Sequence, residues 1–407
     1  MRRALARFYA TLVTDAAGLR QGVSALAVSS LGDLIAGVTL GSATHTLERL
    51  PGLLILVPAA IGMRGNIFGA LGSRLGTAIH TGTFTLTRRR DTLVGQNVLA
   101  AVALTLLLSV ALAFLAKVVG GLFGEHTITV PDYVVVSVLG GVLSSIVVLA
   151  LTLAVSATAA ARGWDMDNVA APLVTAAGDI VTLPALVLAS LLVGHRVVTN
   201  TMAPILVVLA LAGAYSAWQT KLPIMRRVVV ESLPILMIAG AIDLIAGLTI
   251  QKRLDAFSAF PALLVLIPPF LEDTGALGGI VSSRLASKLH LGTVTTDLVP
   301  NRSARDDMAM AFVFAVPTFV FVALSSDLVS FVLHLHSPGF VRMIGVSLVG
   351  GFLSTLIATV IAYYGSVATY RFGFDPDNHG IPLITSSMDL VGALALIFAL
   401  LLFGVHS

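Results

Sequence analysis

The chain has 407 residues, of which 57% are hydrophobic and only 11% are charged, with a formal net charge of +3 and no cysteine. An ordinary soluble domain carries about 25% charged residues, so this composition excludes a water-soluble globular protein. The absence of cysteine excludes disulfides, thiolate metal sites and thiol catalysis, which leaves oxygen and imidazole donors for any metal.

Apolar segments of about 20 residues recur from Val23 to Phe403, and each is long enough to cross a hydrocarbon core as a helix. Residues 1–20 are basic and mildly amphipathic, and they predict a cytoplasmic lead-in. The segments that follow predict helices near 23–43, 50–81, 93–119, 133–160 and 169–193, then 197–218, then 233–250, 260–291, 308–333, 342–369 and 379–403. The sequence thus predicts an all-α polytopic membrane protein with about eleven spans.

An internal repeat divides the chain, because a shift of 210 residues aligns two long blocks without a gap. The segment from Asp33 to Gly37 is identical to the segment from Asp243 to Gly247. Further matched pairs are Pro51 and Pro261, Pro58 and Pro268, Gly65 and Gly275, Arg74 and Arg284, His80 and His290, Pro172 and Pro382, and Asp179 and Asp389. Shared apolar composition would not align polar residues in this way, so the blocks predict a duplicated five-helix unit.

The repeat predicts the domain organisation and the direction of the two copies. We expect a first repeat over 21–195, a linker transmembrane helix over 196–222 and a second repeat over 223–407. Five spans is an odd number, so directly joined copies would face opposite ways. With the linker helix between them, both copies share one orientation and are related by an axis along the membrane normal.

The basic residues predict the orientation of the chain, because lysine and arginine accumulate on the cytoplasmic side of a membrane. With the N-terminus inside, fifteen of the 24 basic residues fall on that side. The sequence therefore predicts a multi-pass protein of the cell membrane with a cytoplasmic N-terminus and an external C-terminus. Orientation also explains the small positive charge, so lipid is the expected surrounding and nucleic acid is not an expected partner.

Four aspartates, Asp33, Asp179, Asp243 and Asp389, lie within apolar spans and form two repeat-related pairs. An ionised carboxylate at the centre of a membrane helix costs about 2.5 to 3.5 kcal/mol, so it needs a partner, a proton, water or a cation. A pseudo-twofold axis would bring equivalent aspartates toward one central path, where a hydrated divalent cation such as Mg²⁺ could bind. The alternative is that these aspartates are protonated or cap a break in a helix.

Two segments, Pro58 to Gly69 and Pro268 to Gly279, are rich in proline and glycine and predict helices that are bent or broken at membrane depth. In the first, Gly65 and Asn66 would present oxygen ligands to an ion. In the second, Glu272 and Asp273 would do so. The alternative is a sharp turn at the membrane interface.

Other polar residues favour structural roles. Arg74 and Arg284 are expected to cap carbonyls or to pair with an aspartate, because a cation path has little use for fixed positive charge. The segments Asp165 to Asn168 and Asp375 to Asn378 precede a proline and an apolar run, which is typical of helix N-caps. The paired glycines at 140–141 and 350–351 indicate close helix packing.

These residues carry a family resemblance. The segment from Leu50 to Pro58, the Gly65-Asn66 and Ser73-Arg74-Leu75 motifs, and the series Asp167, Asn168, Pro172, Thr175 and Asp179 resemble the membrane domain of the MgtE-type magnesium transporters. The tandem arrangement resembles the MgtE-like solute-carrier family of divalent cation transporters, in which two such domains are fused. The resemblance covers nearly the whole chain outside the first twenty residues and the linker helix.

The resemblance implies magnesium transport through a pore between two halves, with no organic cofactor and no enzymatic activity. It carries the family's pore aspartate over to Asp179 and Asp389 and its glycine-asparagine motif over to Gly65 and Asn66. The second repeat departs from that motif with Gly275-Ala276. Because one chain supplies both halves, the resemblance also implies a functional monomer, a pseudo-dimer.

Two other functions remain open at this stage. A secondary transporter of another solute, coupled to sodium or protons, would also show repeats and broken helices, but an anionic solute favours basic groups over four aspartates. A membrane-embedded protease would need a catalytic pair of aspartates or a zinc-binding histidine motif, and the histidine motif is absent from the sequence. A magnesium transporter could be a channel or an ion-coupled exchanger, and both use carboxylates within the membrane. For an exchanger, Na⁺ is a candidate coupling ion.

Overall fold

The computed structural model describes residues 16–87, 89–162, 166–373 and 380–405, and within these ranges helices and turns account for the regular structure. The first half contains α1 (Ala16–Ser42), α2 (Thr44–Arg49), α3 (Leu53–His80), α4 (Leu93–Leu122), α5 (Val130–Arg162) and α6 (Met166–Ser190). A linker helix, α7 (Arg196–Gln219), follows. The second half contains α8 (Pro223–Gln251), α9 (Leu254–Ala259), α10 (Pro261–His290), α11 (Arg302–Val332), α12 (Phe340–Phe372) and α13 (Ile381–Leu402).

The predicted fold class is confirmed. Nine helices in the described ranges are long and apolar enough to cross a membrane, and shorter apolar stretches at Leu26–Ser42 in α1 and Val174–Ser190 in α6 complete the eleven predicted spans. Each span of the first repeat has its counterpart six spans later in the chain, with five spans between them, and this odd number of intervening spans is the condition for parallel repeats. Lead-in residues 1–15 lie outside the described residues.

The long helices α3 and α10 are unbroken, so the predicted breaks within Pro58–Gly69 and Pro268–Gly279 are wrong. Pro58 lies in the second turn of α3, and Pro268 and Pro269 lie in the third turn of α10. A proline removes only one backbone N–H, and in an apolar setting the remaining amide groups are best satisfied within the helix. The glycines that follow are therefore held in helical geometry.

The described residues form two compact units whose limits differ from those of the repeats. The α3 unit, as we name it after its central helix, comprises 39–254 and 377–390. The α10 unit comprises the chain up to residue 38, then 255–376 and 391–407. The first helix of the second repeat, α8, thus belongs to the α3 unit, and most of α1 belongs to the α10 unit.

The α3 unit is built around α3, which packs against α4, α5, α6 and α8. Its core contains a large apolar cluster that includes Leu56, Phe68, Leu108, Val138 and Leu244. The linker helix α7 packs against α4 and α5. Only 17% of the apolar stretch of α7 is buried within the protein, so most of the surface of this helix is suited to contact lipid.

In the α10 unit, α10, α11 and α12 pack against one another. The rings of Phe270 and Phe319 lie 5.0 Å apart, and both lie against the paired glycines of α12, Gly350 and Gly351. In the α3 unit, Gly140 of α5 lies against Leu186 of α6. The predicted role of these glycines in close helix packing is confirmed in both repeats.

Candidate functional site

The glycine that ends each Asp-Leu-Ile-Ala-Gly motif brings two helices into backbone contact. In the α3 unit, a methyl group on Gly247 of α8 would collide with the carbonyl oxygens of Leu54 and Ile55 of α3. The carbonyl of Leu54 is the one that Pro58 leaves without its helical N–H partner. Because the aspartate of the motif lies one turn before this glycine, the close approach directs Asp243 toward α3.

The same contact recurs in the α10 unit, where a methyl group on Gly37 of α1 would collide with the carbonyl oxygen of Val265 of α10. Pro269 lacks the N–H that this carbonyl would accept in a regular helix. Asp33 lies one turn before Gly37 and is fully buried. The duplicated motif therefore positions a buried aspartate near the long helix of each unit.

Two carboxylates converge above Gly62 of α3. A methyl group on Gly62 would lie 2.8 Å from Oδ2 of Asp243 and 3.8 Å from Oδ2 of Asp389. The two oxygens, from residues 146 positions apart in the sequence, are thus both within 4 Å of one point over the α3 backbone. Any larger side chain at Gly62 would occupy that point, so the glycine keeps it open.

The third buried aspartate of the α3 unit, Asp179, lies on α6, where α6 packs against the same region of α3. A methyl group on Gly65 would touch the Thr175 side chain at 3.9 Å, and one on Gly178 would touch Cβ of Arg64 at 3.7 Å. Asp179 follows Gly178 on α6 and lies one turn after Thr175, the residue that contacts Gly65.

One face of α3 is small, polar and half-exposed, although most of the helix is buried. The residues of this face recur at helical spacing and are Gly62, Gly65, Asn66, Gly69, Ala70 and Ser73. The point near the Asp243 and Asp389 oxygens lies at the N-terminal end of this stripe, at Gly62.

In the α10 unit, Ser30 of α1 donates a hydrogen bond of 2.7 Å to Oδ2 of Asp273 of α10. Asp273 is 1% exposed, and its Oδ1 has no hydrogen-bond partner among the described residues. Asp33 lies three residues after Ser30 and so shares its face of α1. Glu272 is half-buried and precedes Asp273 on α10. The helix pair α1 and α10 therefore carries two buried aspartates, Asp33 on α1 and Asp273 on α10.

The structure thus brings Asp243 and Asp389 together over Gly62. Asp179 lies one turn after the residue that contacts Gly65, and Asp33 lies one turn after the serine that bonds to Asp273. Within the described ranges, no three acidic or histidine side chains are close enough together to hold a metal ion by themselves. An ion there would depend on one or two carboxylates, backbone oxygens and water, which are the ligands that a hydrated Mg²⁺ accepts.

The structural role predicted for Arg284 is confirmed, since its Nε lies 3.0 Å from Oδ1 of Asp307, whose Oδ2 lies 2.6 Å from Nζ of Lys288. The predicted N-caps are not tested, because Asp165 and 374–379 lie outside the described residues. Sequence reasoning missed Arg64, whose one signal is a lone arginine directly before Gly65-Asn66. It also missed Ser30, which has no local signal because its partner is 243 residues away.

Comparison with known proteins places both repeats in one family. Residues 57–189 and 267–399, more than half of the chain, match the model of a family described as MgtE, divalent cation transporter. Solute carrier family 41 member 3 of Rattus norvegicus is 27% identical over 404 residues, covering 92% of this chain and 85% of that protein. Solute carrier family 41 member 2 of Homo sapiens is 26% identical over 403 residues, covering 90% and 67%. No solved structure matches the chain significantly.

Proposed function

This chain belongs to the MgtE family of divalent cation transporters, and we propose that it carries Mg²⁺ across the cell membrane along an aspartate-lined path at the pseudo-twofold interface of its repeats. The observation that carries the proposal is the convergence of Asp243 and Asp389, both from the second repeat, over Gly62 of the first. Residues of both repeats therefore meet at one point inside the α3 unit.

The chemistry of this point suits a hydrated divalent cation. Mg²⁺ keeps several of its waters and takes one or two carboxylates directly, which is what two converging oxygens beside a half-exposed stripe offer. A cation also offsets the cost of about 2.5 to 3.5 kcal/mol for each carboxylate held at membrane depth. Site and ion thus stabilise each other, and the small number of direct ligands favours release.

The other acidic residues extend the path on this account. Asp179, with Gly65 and Asn66, lines the α3 side of the route. Asp33, Glu272 and Asp273 supply oxygen ligands in the α10 unit. None of these groups is assigned a catalytic role, and the chain acts as a transporter in lipid and as a single-chain pseudo-dimer. The N-terminus lies in the cytoplasm and the C-terminus outside.

The test is Mg²⁺ uptake into liposomes that contain the purified full chain, with and without a sodium gradient. We expect uptake by the wild type and at least about a hundredfold loss in the Asp179→Asn, Asp389→Asn double variant, because each change removes a charged oxygen ligand. The matched control is Asp327→Asn, a half-buried carboxylate on α11 that bonds to Ser337. It should transport like the wild type.

The outcomes separate the candidate functions. Uptake that ignores the gradient identifies a channel, and uptake that requires it identifies an exchanger with Na⁺ as coupling ion. Equal uptake by the wild type and the double variant would remove both aspartates from the path. Absence of Mg²⁺ uptake together with transport of another solute, driven by sodium or protons, would establish the alternative function of a secondary transporter.

A further inference from the structure

Arg64 is the one basic side chain that is buried in the described residues, at 1% exposure, and it lies on α3 between Gly62 and Gly65. Its Nε donates to Oγ of Ser144 at 3.1 Å, and its Nη1 donates to the carbonyl of Ala60 at 2.7 Å. Its Nη2 has no hydrogen-bond partner in the described part of the chain. In that part of the chain, no carboxylate forms a salt bridge with the Arg64 guanidinium, taken as a nitrogen–oxygen distance of at most 4.0 Å.

A guanidinium buried without a contacting carboxylate is costly, by several kcal/mol for an isolated ion, so its presence needs a reason. Packing is not that reason, because the second repeat solves the same packing problem without charge. Thr274 occupies the position of Arg64, and its hydroxyl lies 3.3 Å from Oγ of Ser354, the counterpart of Ser144.

The space around the guanidinium is also filled differently in the second repeat. In the first repeat, Gly141 lies directly against Nη2 of Arg64 and against Oγ of Ser109. In the second repeat, Gly351 lies directly against the ring of Phe319, which is the counterpart of Ser109. A phenylalanine and a threonine thus do the packing of a serine and an arginine, and what differs is one positive charge.

The charges that Arg64 can balance are those of the α3 unit. The buried acidic side chains described in that unit are Asp179, Asp243 and Asp389, so their charge when ionised is −3 and Arg64 reduces it to −2. A single divalent cation then neutralises this set of buried charges. Arg64 is close enough to act on this ion, since it lies two residues from Gly62 and its Cβ is 3.7 Å from a methyl group on Gly178.

We infer that Arg64 is a specificity-determining residue. Its fixed positive charge sets the net buried charge of the α3 unit to a value that one divalent ion neutralises, and it keeps the binding weak enough for that ion to dissociate. This inference rests on the proposed function and assigns Arg64 no direct contact with the ion. At an effective dielectric of about 20, a positive charge about 10 Å from a divalent ion weakens the binding of that ion by about a few hundredfold. It also opposes entry of a second cation or of a trivalent one.

The test is direct Mg²⁺ binding to the purified full chain by calorimetry, with La³⁺ as a competitor, alongside Mg²⁺ flux in liposomes. Two neutral variants are compared with the wild type: Arg64→Gln, and Arg64→Thr combined with Ser109→Phe, which transfers the packing of the second repeat. Arg64→Lys is the matched control because it keeps the charge. We expect the neutral variants to bind Mg²⁺ at least about tenfold more tightly, to transport it more slowly and to bind La³⁺ preferentially.

The lysine variant should keep an affinity close to that of the wild type. Unchanged or weaker Mg²⁺ affinity in a neutral variant that remains monodisperse would overturn the inference. If that result is found while Asp243→Asn still abolishes binding, only the role of Arg64 fails and the proposed function stands. If the wild type neither binds nor transports Mg²⁺, the proposed function fails with it.

Discussion

The centres of α3 and α10 share their backbone packing and differ in charge. Gly37 and Gly247 approach the carbonyls of the two long helices in the same way. At the next turn, α3 carries Gly62-Met63-Arg64, whereas α10 carries Glu272-Asp273-Thr274. The duplicated chain has therefore kept the contacts that hold its helices together, while the charges that an ion would meet have diverged. Two units with one scaffold are thereby given different electrostatic roles.

The backbone contact that the two units share can be tested by replacing its glycines with valine, which should have a large effect on stability. Gly247→Val and Gly37→Val each force a side chain into a carbonyl oxygen of the long helix, and overpacking of this kind costs about 1–3 kcal/mol or more. We expect both variants to lose thermal stability by similar amounts, measured by melting of the purified protein. Gly213→Val is the control, because nothing lies within 4 Å of a methyl group there. A loss in one variant alone would break the equivalence of the two contacts.

A smaller effect on stability, but a clear one on transport, is expected at Gly62. Gly62→Ala places a methyl group 2.8 Å from Oδ2 of Asp243, so the carboxylate must move from the convergence point. We expect Mg²⁺ flux to fall about tenfold, as for a ligand displaced by a fraction of an ångström. Gly69→Ala lies on the same stripe with nothing within 4 Å and should keep its flux. Equal flux in the two variants would argue against an ion at Gly62.

The hydrogen bond between Ser30 and Asp273 has no counterpart in the other repeat, where Gly240 and Met63 stand at the equivalent positions. Ser30→Ala should therefore cost about 1–3 kcal/mol, because a buried carboxylate oxygen loses its donor. Thermal melting measures this cost, and Thr201→Ala, which removes an exposed hydroxyl on α7, is the control. An unchanged melting temperature would show that Asp273 is satisfied in another way.

The smallest effect is expected for Arg284→Gln. Arg284 is 38% exposed, and Asp307 keeps its second contact, with Lys288, when Arg284 is replaced. Solvent screening limits such a pair to about 0.2–1 kcal/mol, so melting should shift slightly, and less at high salt. Flux should stay at the wild-type level. A strong loss of flux would move Arg284 from the scaffold to the transport path.

Much of the fold could be predicted because apolar length is a strong signal for a membrane helix. The predicted start of α8 was ten residues late, since Arg226, Arg227 and Glu231 lower the apolar character of its first turns. The continuity of α3 and α10 could not be predicted, because proline and glycine are tolerated in a helix only where neighbouring packing holds it.

The candidate site was predicted as a set of residues and not as a geometry. The repeat directed attention to Asp33, Asp179, Asp243 and Asp389, and the structure groups them differently in the two units. That Asp243 would meet Asp389 over Gly62 depends on close helix approach, which leaves no local trace beyond a glycine. The charge of Arg64 was visible in the sequence, but the lack of a carboxylate partner among the residues that the structure describes was not.

In the transport route that we propose, the oxygens of Asp243 and Asp389 hold the ion over Gly62. The most direct test is Mg²⁺ binding and flux in the Asp243→Asn, Asp389→Asn double variant, measured beside the wild type and Asp327→Asn in the same liposomes. We expect the double variant to fold and to lose binding and flux by at least about a hundredfold, while the control keeps both. Wild-type binding and flux in a folded double variant would contradict it.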